Sequence, residues 1–94
     1  MALGILILHI HIPGCSSLKE KRRRLKPLLN RLHREFNISV SEVDHHDVWQ
    51  STTVGCAMIS TDHSFNQRAL QTVVHWIETH WPDITVVDEK IELL

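Results

Sequence analysis

The chain is predicted to fold as an α+β split βαβ sandwich: a four-stranded antiparallel sheet with two helices on one face, in the order βαββαβ. Three observations predict it. Residues 3 to 12 combine aliphatic and β-branched side chains with a strict alternation, Ile10 and Ile12 against His9 and His11, that marks a strand with one buried face. Two amphipathic segments then follow, each opened by a capping residue. Between and after them lie three β-rich runs at 38–43, 52–59 and 84–94. With right-handed crossovers, helices after the first and third strands both land on one face of the sheet. Ninety-four residues with 43% hydrophobic content suit one domain, residues 1–94, with a single core.

The phase of the first strand puts Leu6, Leu8, Ile10 and Ile12 on the core face, and Ile5, Ile7, His9 and His11 on the other. Pro13-Gly14 ends it, and Ser17-Leu-Lys-Glu20 is a capping box whose hydroxyl and carboxylate satisfy free backbone donors. The first helix should bury Leu18, Leu25, Leu28, Leu29, Leu32 and Phe36. Pro27 removes one helical hydrogen bond, but its phase places it on the solvent side. The second and third strands form a hairpin through Asp44-His-His-Asp-Val-Trp49. Thr61 or Asp62 caps a second helix carrying Phe65, Ala69, Leu70, Val73 and Ile77, which Pro82 terminates.

Charge is strongly divided along the chain. Eight of ten basic residues lie between Ser17 and Arg34, opposed only by Glu20 and Glu35, so a net −1 conceals a segment of +6 and a remainder of −7. Charge separated this way points to an anionic partner. Lys19, Arg23, Arg24, Lys26, Arg31 and Arg34 are the candidate phosphate contacts, which position a protein on nucleic acid without reading sequence. Lys21 and Arg22 lie nearer the buried stripe. They are expected to form structural ion pairs with Glu42, Asp44 and Asp47 of the hairpin.

Eight histidines are an unusual number for this length. His9 and His11 lie at i and i+2 on one strand face, and His45 and His46 lie in the hairpin between Asp44 and Asp47. Together they are candidate ligands for zinc or nickel. Ile5 and Ile7 leave an apolar patch on the helix-free face, which a homodimer would cover. Trp76 and Trp81 are expected to pack. Trp49 is a packing anchor or an exposed binding aromatic, and packing is the expectation.

Several functions are excluded or left without support. The sheet carries no aromatic pair of the kind that stacks RNA bases, and the three glycines make no loop able to cradle an anion. No nucleophile, base and orienting group share a recognisable spacing, so binding is expected rather than catalysis. Cys15 and Cys56 show no paired framework and are expected as free thiols in a reducing compartment. The apolar start is too short to span a bilayer and is broken by His9 and His11; no membrane partner and a cytoplasmic location are expected.

Three stretches carry a resemblance: Ile12-Pro-Gly followed by Ser17-Leu-Lys-Glu-Lys-Arg22; Phe36-Asn-Ile-Ser-Val-Ser-Glu-Val-Asp44; and Asp47-Val-Trp-Gln50. The pattern resembles the YlxP-like family of small bacterial proteins, a domain of unknown function, across essentially the whole chain. That resemblance implies a ferredoxin-like fold. It also implies a connection to RNA, because members often lie beside translation and ribosome-maturation genes. Pro27 and the pair His45-His46 depart from the family pattern. The functional expectation is a non-enzymatic, RNA- or ribosome-associated factor acting through its first helix. The alternatives are an oligomeric metal- or ligand-binding protein and a protein-interaction module.

Overall fold

A computed structural model describes residues 1–94. The elements run β1 (Ala2–His11), α1 (Leu18–Glu35), β2 (Ser39–Asp44), β3 (Ser51–Ser60), α2 (His63–His80) and β4 (Thr85–Leu93). The strands form one antiparallel sheet in the order β2-β3-β1-β4, the ferredoxin-like arrangement expected of this element order. In β1 every second residue from Ala2 to Ile10 is buried. Leu6, Leu8, Ile10 and Ile12 then meet Leu25, Leu28 and Leu32 of α1 and Leu70, Val73, Val74 and Ile77 of α2 in one core.

The start of α1 is fixed by its cap. Ser17 sits in extended backbone and its Oγ accepts from the Glu20 amide at 3.0 Å. The returning Glu20 carboxylate accepts from the amide of Ser16 at 2.9 Å, one residue earlier than a capping box requires. That backbone bond, followed by one from the Cys15 side chain and by the charges of Arg24 and Arg23, holds the Glu20 carboxyl below the usual range. A depressed carboxyl favours the fold above the ordinary glutamate value, near pH 4.5, and the contribution is lost as pH falls through the depressed value. Glu20→Gln is therefore expected to lower Tm at pH 7, and thermal scans at successively lower pH should show the gap between the two proteins narrowing below about pH 4.5. A gap that does not narrow as the pH falls below that value would assign the effect to something other than this charge.

Helix α1 continues through Pro27, whose ring faces solvent as its phase predicted. Lys21 goes deeper than the edge of the stripe expected of it. It lies on the buried stripe with Leu25, Leu28 and Leu32, and is 2% exposed; Leu18, Leu29 and Phe36 are only half-buried.

Helix α2 is capped by Asp62, whose carboxylate accepts from the Ser64 amide at 2.9 Å. Phe65, expected on its apolar stripe, is instead half-exposed, and the inward position is taken by Asn66. The reason is local. Asn66 donates to the carbonyl of Ala2 at 3.2 Å and accepts from Ser60 Oγ at 2.6 Å, closing polar groups where the sheet ends. Gly4 makes room for it: a Cβ there would lie 3.1 Å from Asn66 Cβ and 3.0 Å from Leu70 Cδ1. At the far end of α2, Trp76 packs edge-on to Phe36 and Trp81 lies beside it, both half-buried as expected.

Two irregularities shape the sheet. The β1–β4 register shifts between His9 and Ile10, and the β2–β3 register shifts between Glu42 and Asp44. The second adjoins the β2–β3 turn, where His45 adopts a left-handed conformation, φ 63°. Both cysteines are buried and free. No helix is long and apolar enough to cross a membrane.

Candidate functional site

Helix α1 divides its eight cations into two sets. The first set is held within the molecule. Lys21 Nζ lies 2.8 Å from Glu42 Oε2 and donates to the carbonyl of His45 at 2.6 Å. Glu42 Oε2 also accepts from Thr52 Oγ1 at 2.5 Å, so the carboxylate is shared between helix and neighbouring strand. Arg24 donates to the carbonyls of Pro13 and Asp83, both at 2.8 Å, tying the β1–α1 loop to the α2–β4 loop. Arg31 pairs with Glu35 at 3.0 Å and lies over the Trp76 ring at 5.5 Å. Arg23 makes a long contact of 3.7 Å with Glu20, its side chain 73% exposed.

The second set is free. Lys19, Arg22, Lys26 and Arg34 are exposed and form no ion pair with any carboxylate of the chain. A groove of about 1030 Å³ runs along the helix. Arg22, Arg23, Lys26, Arg31 and Arg34 line it, with Val40 and Ser41 of β2 and Trp81. The surface is thus a run of exposed guanidinium and ammonium groups beside a sheet edge.

Of the proposed phosphate contacts, Lys19, Arg23, Lys26 and Arg34 are available at the surface. Arg24 is committed to two backbone carbonyls and Arg31 to Glu35 and Trp76. Arg22, assigned from sequence to an internal ion pair, is exposed and belongs with the free cations.

The hairpin clamp forms through one pair only. Lys21 meets Glu42, whereas Asp44 and Asp47 meet neither Lys21 nor Arg22. The register explains Asp44: it lies opposite Thr53, on the face of the sheet that carries His9 and away from α1. Its carboxylate accepts from the His45 amide at 2.8 Å and steadies the left-handed turn. Asp47 is exposed.

The histidine candidates are also divided. His9 Nδ1 and His45 Nδ1 both reach Thr53 Oγ1, at 3.1 and 2.8 Å. Having one proton, that hydroxyl donates to one ring only, so the other ring donates its own Nδ1 proton. His11 is exposed at the strand end and His46 is exposed in the turn, and neither joins the pair. No three histidine, cysteine or acidic side chains assemble in a way that could hold a metal ion. Thr53 was not anticipated as their bridge, although its register position opposite His9 follows from pairing β1 with β3.

Trp49 corrects the expectation of packing: it is 50% exposed at the end of the hairpin, beside Gln50, whose amide donates to the Cys15 carbonyl at 3.3 Å. Cys56 offers no nucleophile, because burial pushes its thiol up to about 12.

Comparison with known proteins agrees with this architecture. Over 73 residues, 78% of each chain, the sequence is 41% identical to YlxP of Bacillus subtilis (strain 168), described as an uncharacterized protein. Among solved structures, a de novo designed protein with ferredoxin fold covers the whole chain with 83% of its own, at a TM-score of 0.54 and 8% identity. A second designed protein, Foldit4, covers the whole chain with 97% of its own, at 0.53 and 14%. A point mutant of SnoaB, a cofactor-independent oxygenase from Streptomyces nogalater, aligns over 98% of this chain and 90% of its own, at 0.51 and 11%. At such identities the likeness shows the fold alone. Residues 3–91 match the family described as Protein of unknown function (DUF503), and with the YlxP relationship this places the chain in that family.

Proposed function

We propose that the protein is a non-enzymatic RNA-binding factor of the cytoplasm, associated with structured or ribosomal RNA, whose contact surface is the exposed side of α1. The observation that carries this reading is the set of four cations left without internal partners. Lys19, Arg22, Lys26 and Arg34 stay exposed although the rest of the chain carries an excess of acid. Had the basic segment served only to neutralise that acid, these groups would be paired with carboxylates as Lys21 and Arg31 are.

Their spacing along a helix suits a row of phosphates, and the groove beside them gives a backbone somewhere to lie. Arg23, held only by a long and exposed contact with Glu20, can turn toward the same ligand at little cost. Such a surface positions the protein on RNA shape rather than sequence, since the sheet offers no aromatic platform for bases. Two buried free thiols suit a reducing cytoplasm.

The test is a salt titration of binding to a labelled, structured RNA, followed by fluorescence anisotropy. Four phosphate contacts predict that log Kd rises with log salt with a slope of roughly 3 to 4. Binding that is absent at low salt, or present and insensitive to salt, would overturn the reading and direct attention to an acidic protein partner for the same helix.

A further inference from the structure

The face of the sheet opposite the helices carries a different chemistry. Because β1 alternates, Leu3, Ile5 and Ile7 project from it, and they are half-buried with no layer of structure above them. The register sets Ala57 beside Ile5 and Ile59 beside Leu3, and Ile59 is 64% exposed. Val43 of β2 reaches over Gly55, where a Cβ would lie 3.2 Å from its Cγ1. An apolar hollow of about 240 Å³ lies here, lined by Ile5, Ile7, Val43, Gly55 and Ala57 among others. The polar groups stand around it. Ser39 and Ser41 lie along β2, and Asp88, Lys90 and Glu92 of β4 are paired in register with His9, Ile7 and Ile5.

We propose that this face is the interface of a homodimer, in which two copies pack sheet to sheet about a two-fold axis lying between the sheets and across the strands. Two observations select a second copy as the occupant. The first is the charge row on β4. Lys90 and Glu92 project from one face and pair with each other at 3.2 Å, which leaves both half-exposed or more. A two-fold that reverses the strand direction sets each lysine against the glutamate of the other copy, so the row is its own complement. A membrane or a nucleic acid would require one sign of charge here, and the face carries both.

The second observation is area. Strands of ten, ten, nine and six residues, four abreast at the usual spacings, make a footprint of roughly 30 by 19 Å. Two such faces remove on the order of 1,100 Å² from water, enough to clear the threshold for a specific interface at its lower end. An apolar centre with a charged and hydroxylated border also has the composition of an interface. The dimer is separate from the RNA reading, because α1 lies on the opposite side of the sheet.

Sedimentation equilibrium on the intact protein, up to roughly 200 µM, tests the proposal. The expected result is a reversible monomer–dimer equilibrium. Ile7→Lys should weaken it by at least roughly 30-fold while circular dichroism remains native. Ile7 is half-buried, so Lys90→Glu supplies a second variant at an exposed position. It should also weaken the dimer, and the swapped pair Lys90→Glu with Glu92→Lys should restore it. A wild-type protein monomeric over the whole range would overturn the proposal, as would a folded Ile7→Lys variant that dimerises normally. Open-ended assembly in place of a closed dimer would also overturn it.

Discussion

Replacing Lys21 with methionine is expected to destabilise the fold by about 3 kcal/mol, the lower end of the cost of breaking a buried ion pair from one side. The Lys21 side chain is 2% exposed and that of Glu42 18%, so removing the cation leaves a charge with little access to water. The loss goes beyond Coulomb attraction. Lys21 also holds the carbonyl of His45, and through it the hairpin turn, while Glu42 holds Thr52 in the next strand. The Glu42 carboxylate thus joins α1, β2 and β3 within hydrogen-bond distance, and Lys21 is its helical partner. In a chain of this length such a loss should lower Tm by more than about 12 °C. Adding Glu42→Gln to Lys21→Met removes the stranded charge and keeps an acceptor for Thr52. The double variant should therefore be more stable than Lys21→Met alone, and denaturant melts of the four proteins give the coupling energy directly. A single-variant cost below about 1 kcal/mol would show that packing of the aliphatic stem, not the ion pair, is what the site contributes.

The second large effect is expected at the helix surface. Reversing Lys19, Arg22, Lys26 and Arg34 to glutamate together should reduce affinity for structured RNA by roughly 10³-fold at moderate salt, since four attractive contacts become repulsive. These side chains are exposed and unpaired, so the fold should be preserved and Tm should change little. Arg68→Glu on α2 is the control, because it removes a cation from outside the proposed surface. Arg24→Gln makes an informative contrast. It cuts two bonds to backbone carbonyls and should lower stability while leaving most of the affinity, the reverse pattern. Equal loss of binding per reversed charge for Arg68→Glu and the four-fold variant would mean that net charge, not the α1 surface, governs the interaction.

What could be read from the sequence follows from which interactions are periodic. The alternation in β1, the caps at Ser17 and Asp62 and the apolar stripe of α1 are repeated or local signals, and they fixed the elements to within a residue or two. Lys21 and Glu42 were visible as a pair because helix and hairpin share one end of the sheet. Asp44 was misassigned for a single-residue reason: the shift in the β2–β3 register carries it to the other face. Asn66 was hidden because an apolar count favours Phe65, whereas the inward position is decided by the Ala2 carbonyl and the Ser60 hydroxyl. Arg24 could not be sorted from its neighbours, because its acceptors are carbonyls of distant loops, and carbonyls leave no trace in a sequence. Exposure and internal pairing together separate the structural cations from the available ones, and both depend on tertiary contacts.

The sheet order also dictates a sequence of events in time. β1 is made first, and it lies in the middle of the sheet. Its neighbours are β3, with Ala2 opposite Ser60, and β4, with Gly4 opposite Leu93. A strand whose two partners come so much later forms only non-local pairings, which slows folding relative to helical chains of equal length. During synthesis at about 5–20 residues per second, its aliphatic run waits some seconds for a partner. Throughout that wait the most apolar segment of the protein has two unpaired edges. Charged β4 arrives last and closes one of them, so the folding chain's exposure to aggregation ends only when its final strand has docked.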